Sequence, residues 1–317
     1  MFQHTIAALH KTFVTYHCAD SIQCDIPATA VALPLSVNVA MAIGALETSH
    51  PMISKLRNLF SAQPATNAAA VPAGQRIYAI GDVHGRADLF AALAAAIETD
   101  DIDRGTAATQ VILLGDLVDR GPDSAGVLRQ AREWQQRRPL RALKGNHEEM
   151  FLDAFTKEDV LRHFLRYGGR ETILSYPVDP EVYSEASLAE TQALMHAAVP
   201  AEDVAFMQAM EDLIIIGDYV FVHAGIRPGV PLAEQRAGDL RWIRDPFTSS
   251  REDLGVTVVY GHTIYDHAEI AACRIGIDTG AYRSGRLTAL GLEDSRRWLI
   301  EASEQDGTIR VSQRDVR

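Results

Sequence analysis

The sequence predicts an α/β fold: a sheet covered by helices, a helical insertion, and a second sheet packed on the first. Three observations carry that expectation. From Arg76 onward short β-branched runs alternate with stretches of helical periodicity. Glu148 to Asp212 reads as helical, with no evident strand. After Asp212 strand-like runs return in close succession.

Taken in order, Arg76 to Ile80 reads as a buried strand ending in Gly81-Asp82, and Asp88 to Thr99 as the Ala- and Leu-rich helix after it. Gln110 to Leu114 repeats the pattern with Gly115-Asp116 and a helix over Ser124 to Arg137. Leu140 to Leu143 is a third strand, delivering Lys144-Gly145-Asn146-His147. Three strands thus hand polar, Gly-marked loops to one end of a sheet, where open α/β sheets place ligands. The helical insertion, about 148–212, then stands beside that end as a substrate-shaping cap. Leu213 to Ile216 and Tyr219 to Val222, joined by Gly217-Asp218, read as a hairpin. Thr257 to Tyr260, Glu269 to Ile277, Arg286 to Leu292 and Arg297 to Ala302 read as further strands. The tail, 304–317, is polar and expected to fray.

With 317 residues, 47% of them hydrophobic, the chain can bury a full core without disulfides. A net charge of -12 argues against a general affinity for nucleic acid, while leaving room for a local positive pocket. Cys18, Cys24 and Cys273 are few, odd in number and unpaired in any metal-binding spacing, which suits a reducing cytoplasm. Ala28 to Leu46 is mostly apolar, but Pro34, Ser36 and Asn38 interrupt it and Asp20 and Asp25 precede it. The expectation is therefore neither a membrane span nor a signal peptide. Residues 1–51 are read as a doubtful extension with Met52 as the natural start, 52–75 as a basic stretch and linker, and 76–303 as the catalytic domain.

The loops after the predicted strands collect Asp82, His84, Asp116, Asn146, His147, His223 and His262. Carboxylate, imidazole and amide oxygen together favour a divalent manganese, iron or zinc ion. A shared Asp can bridge two such ions about 3.5–4 Å apart, and a water held between them loses a proton near neutral pH and can attack phosphorus in line. Each residue has a plainer reading: a His after a strand is often a hydrogen-bonded loop residue, Asp116 and Asp119 could cap helices, and Arg120 could be a surface ion-pair partner. Asp100, Asp101 and Asp103 read as a solvated acidic loop, and His163, His196 and His267 as exposed. Asp278-Thr279-Gly280 reads as a turn closing a strand, with Asp278 a weak ligand candidate.

The motifs Gly81-Asp82-Val83-His84-Gly85, Gly115-Asp116-Leu117-Val118-Asp119-Arg120-Gly121, Gly145-Asn146-His147-Glu148, His223-Ala224-Gly225 and Gly261-His262 occur in this order. The set resembles the phosphoprotein phosphatase family of the calcineurin-like metallophosphoesterases, and most closely its bacterial serine/threonine phosphatases. The resemblance implies a β-sandwich flanked by helices. One metal would be held by Asp82, His84 and bridging Asp116; the second would share Asp116 and add Asn146, His223 and His262. It implies two divalent ions, manganese foremost with iron or zinc as alternatives, and a phosphoprotein or phosphopeptide substrate carrying phosphoserine, phosphothreonine or phosphotyrosine. His147 would protonate the leaving oxygen, Asp119 would orient that imidazole, and Arg120 would bind phosphate. Arg244, in Trp242-Ile243-Arg244-Asp245, resembles a second phosphate-binding arginine. Ala224 departs from the family's usual His-Gly-Gly. Tyr167-Gly168-Gly169-Arg170 resembles a Gly-Gly element that bacterial relatives place near the site, though a helix cap would also explain it. The rival readings are a diadenosine tetraphosphate hydrolase, which has similar motifs and a His-Ala-Gly element, and a catalytically dead scaffold.

Overall fold

The computed structural model describes residues 68–316. The readings made of residues 1–67, including the doubtful extension and the basic stretch, lie outside the described residues. Strand β1 (Gln75–Ile80), helix α1 (Ala87–Asp103), β2 (Ala108–Leu113), α2 (Ser124–Gln135) and β3 (Leu140–Ala142) alternate along the chain. The three strands pair in parallel, with Tyr78 opposite Val111 and Ile112 opposite Arg141. Parallel neighbours need a crossover, and α1 and α2 supply it. Both faces of β1 are buried, as its near-continuous apolar run requires.

The insertion is helical, as the sequence predicts. It comprises α3 (Asn146–Ala154), α4 (Glu158–Phe164), a π-type turn at Leu165–Gly169, α5 (Arg170–Ser175), α6 (Pro180–Glu185), α7 (Leu188–Ala198) and α8 (Ala201–Gln208). Local chemistry sets two of the starts. The Asp179 carboxylate accepts from Glu181 N ahead of Pro180, and Ser187 with Glu190 forms a reciprocal cap on α7. Phe151, Phe164, Ile173, Met195 and Met207 join the core under α1 and α2.

Then come β4 (Leu213–Ile216), β5 (Tyr219–Val222), α9 (Ala237–Trp242), β6 (Thr257–Tyr260), β7 (Glu269–Ile270), β8 (Arg274–Gly276), α10 (Ala281–Ser284), β9 (Arg286–Glu293), β10 (Arg296–Gln305) and β11 (Thr308–Val316). One sheet runs β11-β10-β9-β1-β2-β3 and the other β4-β5-β6-β8-β7. Ile77, Ile112 and Leu290 from the first face Phe221, Val259 and Ile275 from the second across a shared apolar layer. That layer makes the structure a sandwich. Each such side chain contributes roughly 1.5–3 kcal/mol by burial.

Three expectations are corrected. The strand expected over Glu269 to Ile277 is two short antiparallel strands, because Ala271 to Cys273 turn the chain. The tail does not fray: β11 pairs with β10 from Thr308 to Val316 as a mostly exposed edge, where polar side chains suit the solvent. The acidic run is not a solvated loop. Asp100, Asp101 and Asp103 end α1, and buried Asp100 accepts from Tyr78 Oη (2.6 Å), Trp298 Nε1 (2.9 Å) and Gln313 Nε2 (2.9 Å). Asp101 accepts from buried Arg76 at 2.7 Å.

Candidate metal centre

Asp82 follows β1, Asp116 follows β2, Asn146 follows β3, His223 follows β5, His262 follows β6 and Asp278 follows β8. The C-terminal ends of six strands from both sheets therefore converge on one place. The loops are bent sharply there. Among the described residues seven non-glycine positions have positive φ, and five of them are His84 (45°), Asp116 (50°), Asp119 (74°), Arg120 (71°) and His262 (61°). Gly121 lets the loops nest, since a Cβ on it would lie 2.0 Å from the His84 carbonyl oxygen.

Asp116 is central and buried. Its Oδ2 lies 3.6 Å from His84 Nε2 and its Oδ1 3.4 Å from His223 Nε2, one oxygen toward each side. Oδ1 also accepts from His147 N at 3.0 Å. Burial works against the carboxylate, but His223, His147 and His84 hold its pKa well below the usual range. Asp82 behaves in the opposite way: burial, then the charges of Asp278 and Asp116, push it well above that range. Its oxygens accept from His262 N at 3.0 and 3.2 Å.

The imidazoles are prepared as ligands. Nδ1 of His84 pairs with the Val118 carbonyl (2.8 Å) and Nδ1 of His223 with the Leu114 carbonyl (2.8 Å). A proton on Nδ1 leaves each Nε2 lone pair facing inward, the arrangement that orients metal-binding histidines. His262 Nε2 is buried with no hydrogen-bond partner, and burial followed by His223 lowers its pKa to about 3. An orphaned neutral nitrogen clustered with Asp116 and His223 fits a divalent cation. By distance, His84, Asp116 and His147 form one cluster and Asp116, His223 and His262 another, sharing Asp116. Two clustered sites of this kind fit a dinuclear metal cofactor. Asp82 stands beside these clusters, and Asn146 enters through Oδ1, 3.0 Å from His223 Nε2.

His147 has partners of its own. Its Nδ1 lies 2.6 Å from Asp119 Oδ2, both groups being buried. Burial disfavours the charged imidazole, but Asp116 and the hydrogen bond to Asp119 outweigh it and raise the pKa. Arg120, half-buried, spans the gap, with Nη1 at 2.9 Å from His84 Nε2 and Nη2 at 2.8 Å from His147 Nε2. Tyr282 lies against the Arg120 guanidinium, 4.9 Å from its ring centre. Arg244 is placed differently: exposed at the rim, it donates from Nη2 to the His262 carbonyl at 3.2 Å.

At the centre, Glu148 and Thr172 had no role in the sequence reading, and Asp278 and Gly168 only a secondary one. Glu148, fully buried, accepts from Asp116 N (2.8 Å), Leu117 N (2.7 Å) and Gly145 N (2.9 Å), tying the β2 and β3 loops together. Asp278 is buried, and burial pushes it up to about 6. Thr172 touches Asp119, and Gly168 touches Arg120. The Gly168-Gly169 pair therefore stands at the site and not at an unrelated helix end. Ala224 lies outside the positive-φ positions, so its Cβ costs the loop nothing. His163, His196 and His267 are exposed, as expected.

A model of the calcineurin-like phosphoesterase family matches residues 75–279. Serine/threonine-protein phosphatase 2 of Escherichia coli is 25% identical over 231 residues, 68% of this chain and 91% of that protein. The symmetrical bis(5'-nucleosyl)-tetraphosphatase of Janthinobacterium is 29% identical over 264 residues, 68% of this chain and 93% of that protein. Among solved structures, that of a candidate diadenosine tetraphosphatase superposes with a TM-score of 0.51 at 19% identity, covering 77% of this chain and 98% of that one. At that identity the likeness shows the fold.

Proposed function

The chain belongs to the calcineurin-like phosphoesterase family, and from that premise we propose that it is a phosphoprotein phosphatase, hydrolysing phosphoserine and phosphothreonine monoesters and accepting phosphotyrosine. The observation that carries this reading is His147, held at 2.6 Å by buried Asp119 and bridged to the ligand cluster by Arg120. An alkoxide leaving from serine or threonine needs a proton, whereas a nucleoside polyphosphate is a far better leaving group and needs one less. A poised acid beside a phosphate seat therefore favours the monoester of an alcohol.

In this reading Asp82, His84 and Asp116 hold one ion, and Asp116, Asn146, His223 and His262 the other. Manganese is the proposed ion, with iron or zinc as alternatives. When bound, the pair supplies Lewis acidity and an acidified water. The protein does the rest. Arg120 presents its planar fork to the phosphoryl oxygens. His147 gives its Nε2 proton to the departing side-chain oxygen, and Asp119 holds the imidazole in register while its charge changes. Arg244 approaches phosphate from the His262 side. No helix among the described residues is long and apolar enough to cross a membrane. A reducing cytoplasm suits Cys273, which is a free thiol.

The relatives named as tetraphosphatases support a second reading, hydrolysis of diadenosine tetraphosphate. The deciding experiment strips the protein of metal, reloads it with manganese, and compares turnover of phosphoserine, phosphothreonine and phosphotyrosine peptides with that of diadenosine tetraphosphate. Faster phosphate release from the peptides supports the phosphatase; dominant nucleotide cleavage overturns it.

A further inference from the structure

Asp119 and Arg120 are consecutive residues on left-handed backbone, and the insertion reaches both of them. The Thr172 hydroxyl, on α5 and fully buried, donates to Asp119 Oδ1 at 2.6 Å and accepts from Asp119 N at 2.8 Å. Ser124 Oγ completes the cluster, 3.0 Å from Asp119 N and 2.9 Å from Thr172 Oγ1. Both oxygens of the Asp119 carboxylate are thereby fixed, Oδ1 by Thr172 and Oδ2 by His147. Four residues earlier the Gly168 carbonyl accepts from Arg120 N at 3.1 Å. Gly168 has φ of 106°, and a Cβ there would lie 2.5 Å from Arg120 N.

We propose that the insertion acts as a clamp on the catalytic loop, with Thr172 the positioning residue that aims the Asp119–His147 pair and Gly168 the seat on which Arg120 rests. Asp119 is fully buried, so a carboxylate that lost one partner could rotate away from His147 or exchange its proton. A second hydrogen bond from a rigid helix fixes the plane of the carboxylate, and with it the direction in which His147 offers its proton. The insertion then contributes to the proton transfer as well as to the shape of the cleft. The inference rests on the phosphomonoesterase reading.

The test uses the full chain reloaded with manganese and two aryl monoesters, phenyl phosphate and p-nitrophenyl phosphate. Nitrophenolate departs readily unprotonated, so only phenyl phosphate depends strongly on the acid. Thr172→Val keeps the shape and removes the hydroxyl; it is expected to lower kcat on phenyl phosphate by at least about 10-fold more than on p-nitrophenyl phosphate, within the range of general acid loss. Thr172→Ser is expected to restore most of that loss, and metal content is expected to be unchanged in both. Gly168→Ala is expected to raise KM for both esters alike, through Arg120. Equal losses on the two esters, or a serine variant that fails to recover, would reduce Thr172 to a packing residue and overturn the proposal. An unchanged KM in Gly168→Ala would remove the second half of the clamp, and that variant is read independently if Thr172→Val does not fold. A wild-type protein inert toward both esters would sink the monoesterase reading itself.

Discussion

The strand-end loops and the helical insertion meet at the same cluster of residues but are built by opposite means. The loops gather buried charge on bent backbone: Asp82, Asp116, Asp119 and Glu148 are all nearly inaccessible, and the sharpest turns coincide with the chemical groups. The insertion is ordinary helix, capped by Ser187 and Asp179, with Phe151, Phe164 and Met195 turned to the core. Beyond the first turn of α3, which carries Asn146, His147 and Glu148, it reaches the centre through few atoms, notably the Thr172 hydroxyl and the Gly168 carbonyl. One region carries the buried candidate metal ligands, and the other packs against them.

Substitutions can test that division, the most damaging first. Asp116→Asn removes the charge both clusters share, so elemental analysis should find both metal sites weakened and turnover should fall to background; an unchanged metal content would refute the bridging role. His147→Asn should keep the metals and lower turnover roughly 10²–10⁴-fold, the usual range for loss of a general acid. Phe164→Ala in the insertion should behave differently, costing about 3–5 kcal/mol in denaturant unfolding with little change in metal content. If it emptied the metal sites, the two regions would not be separable.

The smallest effect is one of pH. In Asp100, burial is outweighed by hydrogen bonds from Tyr78, Arg104 and Gln313; in Asp101, it is outweighed by those from Thr109, Arg76 and Arg138. Both carboxylates therefore titrate below their ordinary range in the folded protein. As pH falls, the unfolded chain takes up protons first, near the ordinary value of about 3.9. The contribution of this network to stability is fully present above that value and is lost as pH drops through the lower folded one. Asp100→Asn should flatten the acid side of a stability profile measured by thermal unfolding. An unaltered profile would show that Asp100 contributes nothing.

How much the sequence revealed follows the same line. The parallel strands were legible because short apolar runs lead into Gly-Asp or Gly-Asn, and the loop residues because their types and order match one chemistry. Thr172 was not legible, because a threonine inside a helix carries no sign of what its hydroxyl will meet 53 positions away. Glu148 stood in a quoted motif, yet its role appears only when three backbone N–H groups are seen around it. Asp100 was misread because its neighbours are acidic, while its partners Trp298 and Gln313 come from the far end of the chain. The tail was misread because a mostly exposed edge strand has little apolar alternation to detect.

The left-handed backbone at His84, Asp116, Asp119, Arg120 and His262 also sets a trade between activity and durability. Such a conformation costs a residue with a Cβ roughly 1–2 kcal/mol, and glycine, which relieves that strain, gives back part of the gain through its own entropy. Residues of the proposed site occupy places where the fold alone would prefer glycine or asparagine. A descendant freed from catalysis could exchange them and become more thermostable, so rising melting temperature with vanishing turnover would be the mark of decay in this loop set.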